Sequence, residues 1–305
     1  MTKIYGWLAI ALMATLLTAC RQRGEAPRLE LGEANAVYYW RTDLRLDSTE
    51  RAFLRQYDIK KVYCRYFDVV MGEDGEPKPN ATVSFSDSLP GDVELVPTVY
   101  ITEDCMHAPH DGLAEKVVAR IRQMNETNGI KGVREIQIDC DYTSNSRKVY
   151  YDFLAAVGLQ LSAFRSAPPL RSAKNLQLST TIRLHQLSMP APPASYGVLM
   201  VYNTGDPRKF MERNPILDMR DVAPYLKRLD KYPLPLAAAY PVYQWTRNIH
   251  GVRVEHTVEA EEILRVKKAL EERRPDLSRT LVTYHLDKDN INRYKPGTYE
   301  EIYHH

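Results

Sequence analysis

Eight short segments rich in β-branched and aromatic residues recur along the chain, and their number constrains the fold more than any other feature of the sequence. Residues of these types are typical of β-strands. The segments are Val37–Thr42, Lys61–Val69, Leu95–Thr102, Glu135–Asp141, Gln177–His185, Val198–Thr204, Leu236–Tyr243 and Leu281–Leu286. Eight strands within about 250 residues match the count and size of a closed barrel of parallel strands.

Segments with helical periodicity separate most of these strands, which indicates βαβ units and a parallel sheet. They are Ser48–Tyr57, Gly112–Asn128, Arg147–Phe164, Asp218–Tyr232 and Val258–Arg274. Two connections differ, because residues 70–93 resemble a loop or hairpin and residues 187–196 contain too much proline for a full helix. The sequence therefore predicts an α/β fold, an irregular (β/α)₈ TIM barrel, with residues 35–305 as a single domain. An open doubly wound sheet is the alternative.

The first residues of the chain have the pattern of a targeting segment. Lys3 precedes the apolar stretch Ile4–Leu17, which ends at Leu17-Thr18-Ala19-Cys20. Small residues at this point are typical of a secretory cleavage site, and Leu-Thr-Ala-Cys also resembles the lipobox of bacterial lipoproteins. The resemblance implies that residues 1–19 are a signal peptide and that Cys20 is acylated, with residues 20–34 as a polar tether. A plain secretory peptide is the alternative.

Acylation would anchor the protein to a membrane of the bacterial cell envelope, facing the periplasm or the cell surface. The chain has 41 Lys and Arg against 39 Asp and Glu, a net charge of +2, so no nucleic acid partner is expected. We expect a monomer. The remaining cysteines, Cys64, Cys105 and Cys140, lie in or beside predicted strands, where burial is the usual role of an unpaired cysteine.

The fourth predicted strand carries the clearest chemical signal. Side chains alternate along a strand, so Gln137, Asp139 and Asp141 share one face, and the apolar opposite face suits packing under helices. The two aspartates lie roughly 6.5 Å apart along the strand, close enough for one pKa to rise and for the pair to divide acid and base roles. Helix capping or cation binding at the strand end is the alternative.

Three segments resemble motifs of family 18 glycoside hydrolases, the chitinase-like family. Ile136–Tyr142 resembles the fourth-strand motif I-D-x-D-x-E-Y, and Gly197–Asn203 resembles the sixth-strand motif M-x-Y-D/N. Ala239–Tyr243 resembles the seventh-strand motif G-x-P-x-Y-G. The whole mature chain is also similar to a family of bacterial lipoproteins with a barrel of this kind, a resemblance that implies no activity.

The resemblance to chitinases implies a role for each matching residue. Asp141 takes the position of the proton donor, Asp139 that of the supporting aspartate, and Tyr202 that of the tyrosine that holds the N-acetyl group of the substrate. Two departures matter. The donor is Asp rather than Glu, so its carboxyl is shorter by about a bond length, and Gln137 replaces an aspartate and cannot exchange a proton. The chemistry is therefore either altered or lost.

Gln137 and polar residues of the fifth and eighth strands are candidates for substrate binding. Arg183 is expected to face Asp139 or Asp141, to bind an anionic substrate, or to hold a structural ion pair. His185 and His285 offer either acid–base groups or structural hydrogen bonds. A metal site built from the two aspartates and these histidines is conceivable, but no motif supports it, and we predict no metal and no cofactor. Trp40, Arg65 and Asp68 can join the site, with faces that the sequence does not assign.

Aromatic residues complete the candidate site. The chain has 20 Tyr against 6 Phe and 3 Trp, and an aromatic ring can stack on a sugar while its polar edge forms hydrogen bonds. Rings expected at strand ends are those of Tyr202, Tyr240, Tyr243, Trp245 and Tyr284. Trp245 is predicted to be the sugar platform, and Asn203 to hold a ring substituent beside Tyr202. Core packing is the alternative for many of them.

Two functional hypotheses follow. The first is a lipid-anchored glycoside hydrolase-like protein that acts on a glycan. The second is a glycan-binding or envelope lipoprotein that keeps the barrel without catalysis. An enzyme should present Asp139 and Asp141 to an open cleft, whereas in a binding protein Arg183 could hold both in salt bridges. An assembly or scaffold protein would instead present a broad exposed apolar patch.

Overall fold

The computed structural model describes residues 31–164 and 176–305. The predicted signal peptide, Cys20 and most of the predicted tether lie outside the described residues. Leu31–His305 form one compact unit. Within the two described ranges, no helix combines the length and the apolar character needed to cross a membrane.

Eight parallel strands form the sheet at the centre of this unit. They are β1 (Ala34–Tyr39), β2 (Ile59–Met71), β3 (Glu94–Ile101), β4 (Glu135–Cys140), β5 (Gln177–Arg183), β6 (Tyr196–Met200), β7 (Leu236–Pro241) and β8 (Thr280–Tyr284). Each strand pairs with its neighbours in chain order, and β1 also pairs with β8, with Ala36 opposite Val282. This pairing closes the sheet, so the predicted TIM barrel is confirmed and the open doubly wound sheet is excluded.

Four of the five predicted helices begin and end within two residues of the predicted bounds, and the helices surround the strands. They are α1 (Ser48–Gln56), α2 (Leu113–Thr127), α3 (Arg147–Phe164), α4 (Met219–Val222), α5 (Leu226–Leu229), α6 (Ala260–Arg273), α7 (Lys288–Ile291) and α8 (Pro296–Ile302). The long helix predicted over Asp218–Tyr232 is wrong, because a 3₁₀ turn, Ala223–Tyr225, separates α4 from α5. Pro224 lies within this turn, and proline lacks the N–H that a continuous helix needs.

The two irregular connections are confirmed. Strand β2 continues to Met71 and pairs with Pro77–Asn80 in an antiparallel hairpin, so no helix follows it directly. Strand β5 is followed by a 3₁₀ helix, Leu184–Ser188, and then by proline-rich chain. A second hairpin, Trp245–Ile249 with Val252–His256, follows β7 at the carboxyl end of the barrel.

The interior of the barrel is unusually polar for a core. Tyr38 donates a hydrogen bond across the barrel to Gln137, and the hydroxyls of Tyr63 and Tyr196 bond to each other. The outward faces of the strands are apolar and pack under the helices, as alternation along β4 requires. Cys64, Cys105 and Cys140 are all buried and unpaired, which confirms the expectation of burial.

Candidate active site

Strand β4 carries two carboxylates to the carboxyl end of the barrel, where the loops after the strands meet. Asp139 points into the barrel and is 3% exposed, and its Oδ1 accepts a hydrogen bond of 2.5 Å from Thr181 Oγ1 of β5. Asp141 is the first residue after β4, and its side chain is 47% exposed. The alternation of β4 therefore gives one buried and one accessible carboxylate on the same face.

Arg183, the last residue of β5, lies between these carboxylates and pairs with both. Its Nη2 is 3.5 Å from Asp139 Oδ1, and its Nε donates a hydrogen bond to Asp141. The guanidinium also lies over the ring of Tyr202, with 5.9 Å from Cζ to the ring centroid. This is the double salt bridge that the sequence analysis describes for a binding protein. It is not the pair of acids open to a cleft that the sequence analysis describes for an enzyme.

Burial is the largest cause of the raised pKa of Asp139. Loss of water around the carboxylate raises its pKa to about 6, the positive charge of Arg183 opposes the rise, and the negative charge of Asp141 adds to it. Asp139 therefore holds a proton under mildly acidic conditions, beside the half-exposed Asp141.

A second ion pair lies beside the first, on β2. Arg65 Nε donates to Asp68 Oδ1 over 2.8 Å, and both side chains are largely buried. The guanidinium of Arg65 lies 5.7 Å from the ring of Trp40. Asp68 also adds negative charge near Asp139. The structure thus assigns Trp40, Arg65 and Asp68 to the rim of the site, which alternation alone did not.

Aromatic rings form a continuous surface beside Arg183 and Arg65, which we call the aromatic wall: Trp40, Tyr202, Tyr243 and Tyr284. The ring of Tyr284 lies at its centre, 4.6 Å from Tyr202, 5.5 Å from Tyr243 and 5.8 Å from Trp40. At the rim, the Tyr243 hydroxyl donates to Asn203 Oδ1 over 2.5 Å. Asn203 is exposed and has a φ of 52°, a left-handed conformation that Asn tolerates well.

The site also includes a residue that the sequence reading did not select. Tyr100 of β3 is half-buried, and its pKa is raised first by burial and then by the charges of Asp141 and Asp139. Tyr100 lies opposite Asp139 in the pairing of β3 with β4. Its position two residues after Thr98, near the end of a predicted strand, was the available signal.

Three predicted substrate contacts need correction because their side chains are covered. Gln137 is fully buried and is held by the hydroxyl of Tyr38 over 2.7 Å, one layer below Asp139. Tyr240 is fully buried on the outward face of β7, near Glu271 of α6, so it cannot stack on a sugar. The hydroxyl of Tyr202 donates to the sulfur of Met200 over 3.2 Å, so its contribution is its ring.

The two histidines do not join the acid pair through strand alternation. Strand β5 ends at Arg183, and the 3₁₀ helix that follows carries His185 to the exposed surface. His285 is half-buried beside the ring of Tyr284, 5.1 Å between centroids, and burial lowers its pKa. The peptide bond that joins Tyr284 to His285 is cis. Across residues 31–164 and 176–305, no group of three or more His, Cys, Asp or Glu side chains is arranged to hold a metal ion.

Trp245 lies elsewhere than predicted. It begins the hairpin after β7, and its ring packs against Phe210, 5.5 Å away, and under the guanidinium of Arg247, 4.6 Å away. Trp40 instead borders open space: a cavity of about 620 Å³ lies at the carboxyl end of β1, lined by Trp40, Arg41 and Glu50 among others. Asp139 and Asp141 do not line this cavity.

Comparison with known proteins bears on the fold. No protein-family model and no curated protein matches the sequence. The spore cortex-lytic enzyme SleL of Bacillus megaterium is 12% identical, with a TM-score of 0.56 over 91% of this chain and 74% of its own. A chitinase from Bacteroides thetaiotaomicron is 13% identical, with a TM-score of 0.56 over 90% of this chain and 99% of its own.

A third similar structure is a family 18 chitinase from Cycas revoluta, solved in complex with (GlcNAc)₃. It is 10% identical, with a TM-score of 0.53 over 88% of this chain and 98% of its own. At these identities the likeness concerns the fold. The expectation of a barrel resembling family 18 glycoside hydrolases is thereby confirmed, and the chain has the barrel fold of chitinases and of SleL.

Proposed function

We propose that this protein is a glycoside hydrolase-like barrel that acts on a β-linked glycan with N-acetylated sugars. The observation that carries the proposal is the half-exposed carboxyl of Asp141 beside the buried Asp139, at the end of the barrel where function resides in this fold. One accessible and one buried acid is the arrangement in which two carboxyls take different roles.

The surroundings of the acid pair support a sugar as the ligand. Trp40 and Tyr284 offer ring faces, and Asn203 with Tyr243 offers a polar edge. The cavity beside Trp40 is not lined by the two aspartates, but it shares Trp40 with the aromatic wall, and its volume of about 620 Å³ is in the usual range for a ligand site. The similar chitinase from Cycas revoluta binds an N-acetylglucosamine oligosaccharide, and we extend that ligand class to this chain as part of the proposal.

In a hydrolytic reaction Asp141 would donate a proton to the leaving oxygen, and Asp139 would supply the proton that the pair holds in mildly acidic solution. The hydrogen bond from Arg183 reaches Oδ1 of Asp141, so the other oxygen, Oδ2, would carry the proton for the leaving group. Movement of the Arg183 side chain away from Asp141 would free both oxygens.

A second candidate function is glycan binding without hydrolysis. The specific observation in its favour is that Arg183 pairs with Asp139 and Asp141 together, which leaves neither carboxyl unneutralised. The aromatic wall and the polar rim would serve a binding protein equally well. The two candidates differ in turnover and not in ligand class.

Turnover and binding by the Asp141→Asn variant test the proposal. The probes are chitotetraose, a peptidoglycan glycan strand and a hyaluronan tetrasaccharide, at about pH 5, where the acid pair holds a proton. For an enzyme we expect the variant to lose roughly 10²- to 10⁴-fold in turnover while its affinity stays within a few-fold of wild type. The matched control is Asp152→Asn, an exposed aspartate of α3 paired with Lys148, which should leave both quantities unchanged.

The outcomes separate the candidates. Turnover that disappears only in Asp141→Asn supports the hydrolase. Binding without turnover in the wild-type protein supports the second candidate. Turnover retained in Asp141→Asn removes Asp141 as the donor, and binding to none of the three glycans contradicts both functions.

We also propose that the protein is lipid-anchored in the bacterial cell envelope. The support is the Leu17-Thr18-Ala19-Cys20 sequence after an apolar stretch. Acyl chains on Cys20 would hold the barrel at a membrane surface, where it would meet envelope glycans.

A further inference from the structure

Arg183 has fewer hydrogen-bond partners than a buried guanidinium needs. An arginine presents five N–H donors in a planar fork. Nε of Arg183 donates to Asp141, and Nη2 lies 3.5 Å from Asp139, a long contact. Nη1 is buried and has no hydrogen-bond partner within the described part of the chain. The side chain is 16% exposed, so one edge of the fork is withdrawn from bulk water yet unbonded.

Arg274 is an internal comparison, because it too is buried. Its two terminal nitrogens donate to the main-chain carbonyls of Leu229, Tyr232 and Leu234 over 2.8–3.2 Å, and Nε bonds Asp276. This arginine is a structural one with its donors used by the protein. Arg183 differs in that its Nη1 has no such partner in the described part of the chain, and its guanidinium lies beside Tyr202 of the aromatic wall.

A planar fork of N–H donors matches the two oxygens of a carboxylate better than any single acceptor. We propose that Arg183 binds a carboxylate of an acidic sugar in the glycan, and that this carboxylate replaces Asp141 on the guanidinium while the Asp139–Asp141 pair takes up one proton. The inference rests on the proposed function, since it names the class of glycan that the site takes.

The charges at the site explain why the aspartate pair takes up a proton when the ligand binds. Above about pH 6, Asp139 and Asp141 carry two negative charges against the single positive charge of Arg183. A ligand carboxylate would add a third negative charge, and like charges at this distance repel strongly in a partly buried site. One proton from solvent on the aspartate pair removes the repulsion, and the exchange leaves a protonated carboxyl free of Arg183 at the site.

Other ionisable groups around the pair do not take up this proton. Arg65 and Asp68 neutralise each other on β2, and burial raises the pKa of each nearby phenol and thiol, so these groups stay neutral. These phenols and this thiol belong to Tyr38, Tyr100, Cys140, Tyr202 and Tyr284. The proton therefore belongs to the aspartate pair.

Calorimetric titration of the full mature protein with three tetrasaccharides tests the inference. Chitotetraose is neutral, a tetrasaccharide of alternating N-acetylglucosamine and N-acetylmuramic acid carries lactyl carboxylates, and a hyaluronan tetrasaccharide carries uronate carboxylates. We expect at least one acidic ligand to bind roughly tenfold or more tightly than chitotetraose at about pH 5. This advantage should shrink at about pH 7.5, where the pair is ionised before binding. Titrations at this higher pH, in buffers of different ionisation enthalpy, should report uptake of about one proton.

Variants of Arg183 complete the test. Arg183→Gln should bring the ratio of acidic-ligand affinity to chitotetraose affinity close to one, and Arg183→Lys should restore only part of the preference because it lacks the fork. The control is Arg208→Gln, an exposed arginine paired with Asp206, which should keep the preference. If Arg183→Gln does not fold, the proton uptake of the wild-type protein still decides.

Each result has one meaning. The acidic ligand that binds identifies the source of the carboxylate. Equal binding of all three ligands, or a preference without proton uptake, overturns the inference and leaves the proposed function standing. Binding of none of them contradicts the proposed function itself.

Discussion

Asp139 is the buried carboxylate of the candidate site. It is almost fully buried, it accepts a hydrogen bond from Thr181, and Arg183 approaches it less closely than it approaches Asp141. A buried carboxylate with an incomplete counterion costs folding free energy when it ionises. Such a cost is retained in a protein where the group has a function, which agrees with the role proposed for the pair.

Because of this cost, the free energy of unfolding should depend on pH. The pKa of Asp139 rises from its ordinary 3.8 to about 6 on folding, so the folded protein binds the proton more tightly than the unfolded chain. The contribution of this group to stability is full below about pH 4 and is lost as the pH rises through about 6, a loss on the order of 3 kcal/mol. In Asp139→Asn this decline should be absent.

Urea unfolding of the wild-type and variant proteins from about pH 4 to about pH 7.5 measures the difference. Asp152→Asn, which changes an exposed aspartate, should follow the wild-type curve. A wild-type stability that rises across this interval relative to Asp139→Asn would mean that the pKa of Asp139 is lowered and that Arg183 fully compensates the charge.

At the scale of elements, a buried polar network joins strands from opposite sides of the barrel. Glu135, the first residue of β4, is 1% exposed and accepts hydrogen bonds from Ser179 of β5 and Tyr196 of β6. Lys61 of β2 completes it, with 2.8 Å from Nζ to Glu135 Oε2. The network lies at the amino end of the strands, away from the candidate site, so its role is to hold the barrel together.

Removal of the cation should therefore destabilise the barrel. Lys61→Met leaves Glu135 buried without its counterion, and we expect a loss of about 3 kcal/mol in the free energy of unfolding. The double variant Lys61→Met with Glu135→Gln should recover much of this loss, because the charge that needed compensation is gone. Urea unfolding at neutral pH measures both effects.

Lys60→Met is the matched control for this pair. Lys60 is the neighbouring lysine, its side chain is 42% exposed, and it pairs with Asp58 and Asp92 at the surface. Such exposed pairs contribute about 0–1 kcal/mol, so the control should stay close to wild type. Equal effects of Lys60→Met and Lys61→Met would contradict the buried network as a source of stability.

At the scale of the whole molecule, the proposal combines the barrel with a lipid anchor on Cys20. Cells that express the protein and incorporate an alkyne-labelled fatty acid should yield a labelled protein that begins at Cys20. Cys20→Ser should lose the label and keep the uncleaved leader, because thiol acylation precedes cleavage in the lipoproteins that the lipobox resembles. Labelling and the mass of the amino terminus are the measurements.

Cys105→Ala is the control for the anchor, since Cys105 is a buried cysteine of the barrel and its removal should leave the label in place. Fatty-acid label that persists in Cys20→Ser would show that the anchor is attached elsewhere. A wild-type protein that is cleaved and carries no label would support the plain secretory peptide.

Much of the molecule was determined locally and could be predicted from the sequence alone. Strand composition and helical periodicity predicted the eight strands and four outer helices to within a few residues, since propensity and side-chain periodicity are properties of neighbours in the chain. The same alternation put Asp139 and Asp141 on one face of β4. The exception is the helix expected over Asp218–Tyr232, where tertiary packing and Pro224 break the periodicity.

Only the tertiary structure decided which side chains surround Asp139 and Asp141 on the inward face of β4. The end of β5 at Arg183 directed the guanidinium onto both aspartates and turned His185 away, and the register of β7 buried Tyr240 against α6. Trp40, rather than Trp245, came to lie on the aromatic wall. Strand ends, the register of a closed sheet and the packing of loops depend on contacts between distant parts of the chain, and no local pattern encodes them.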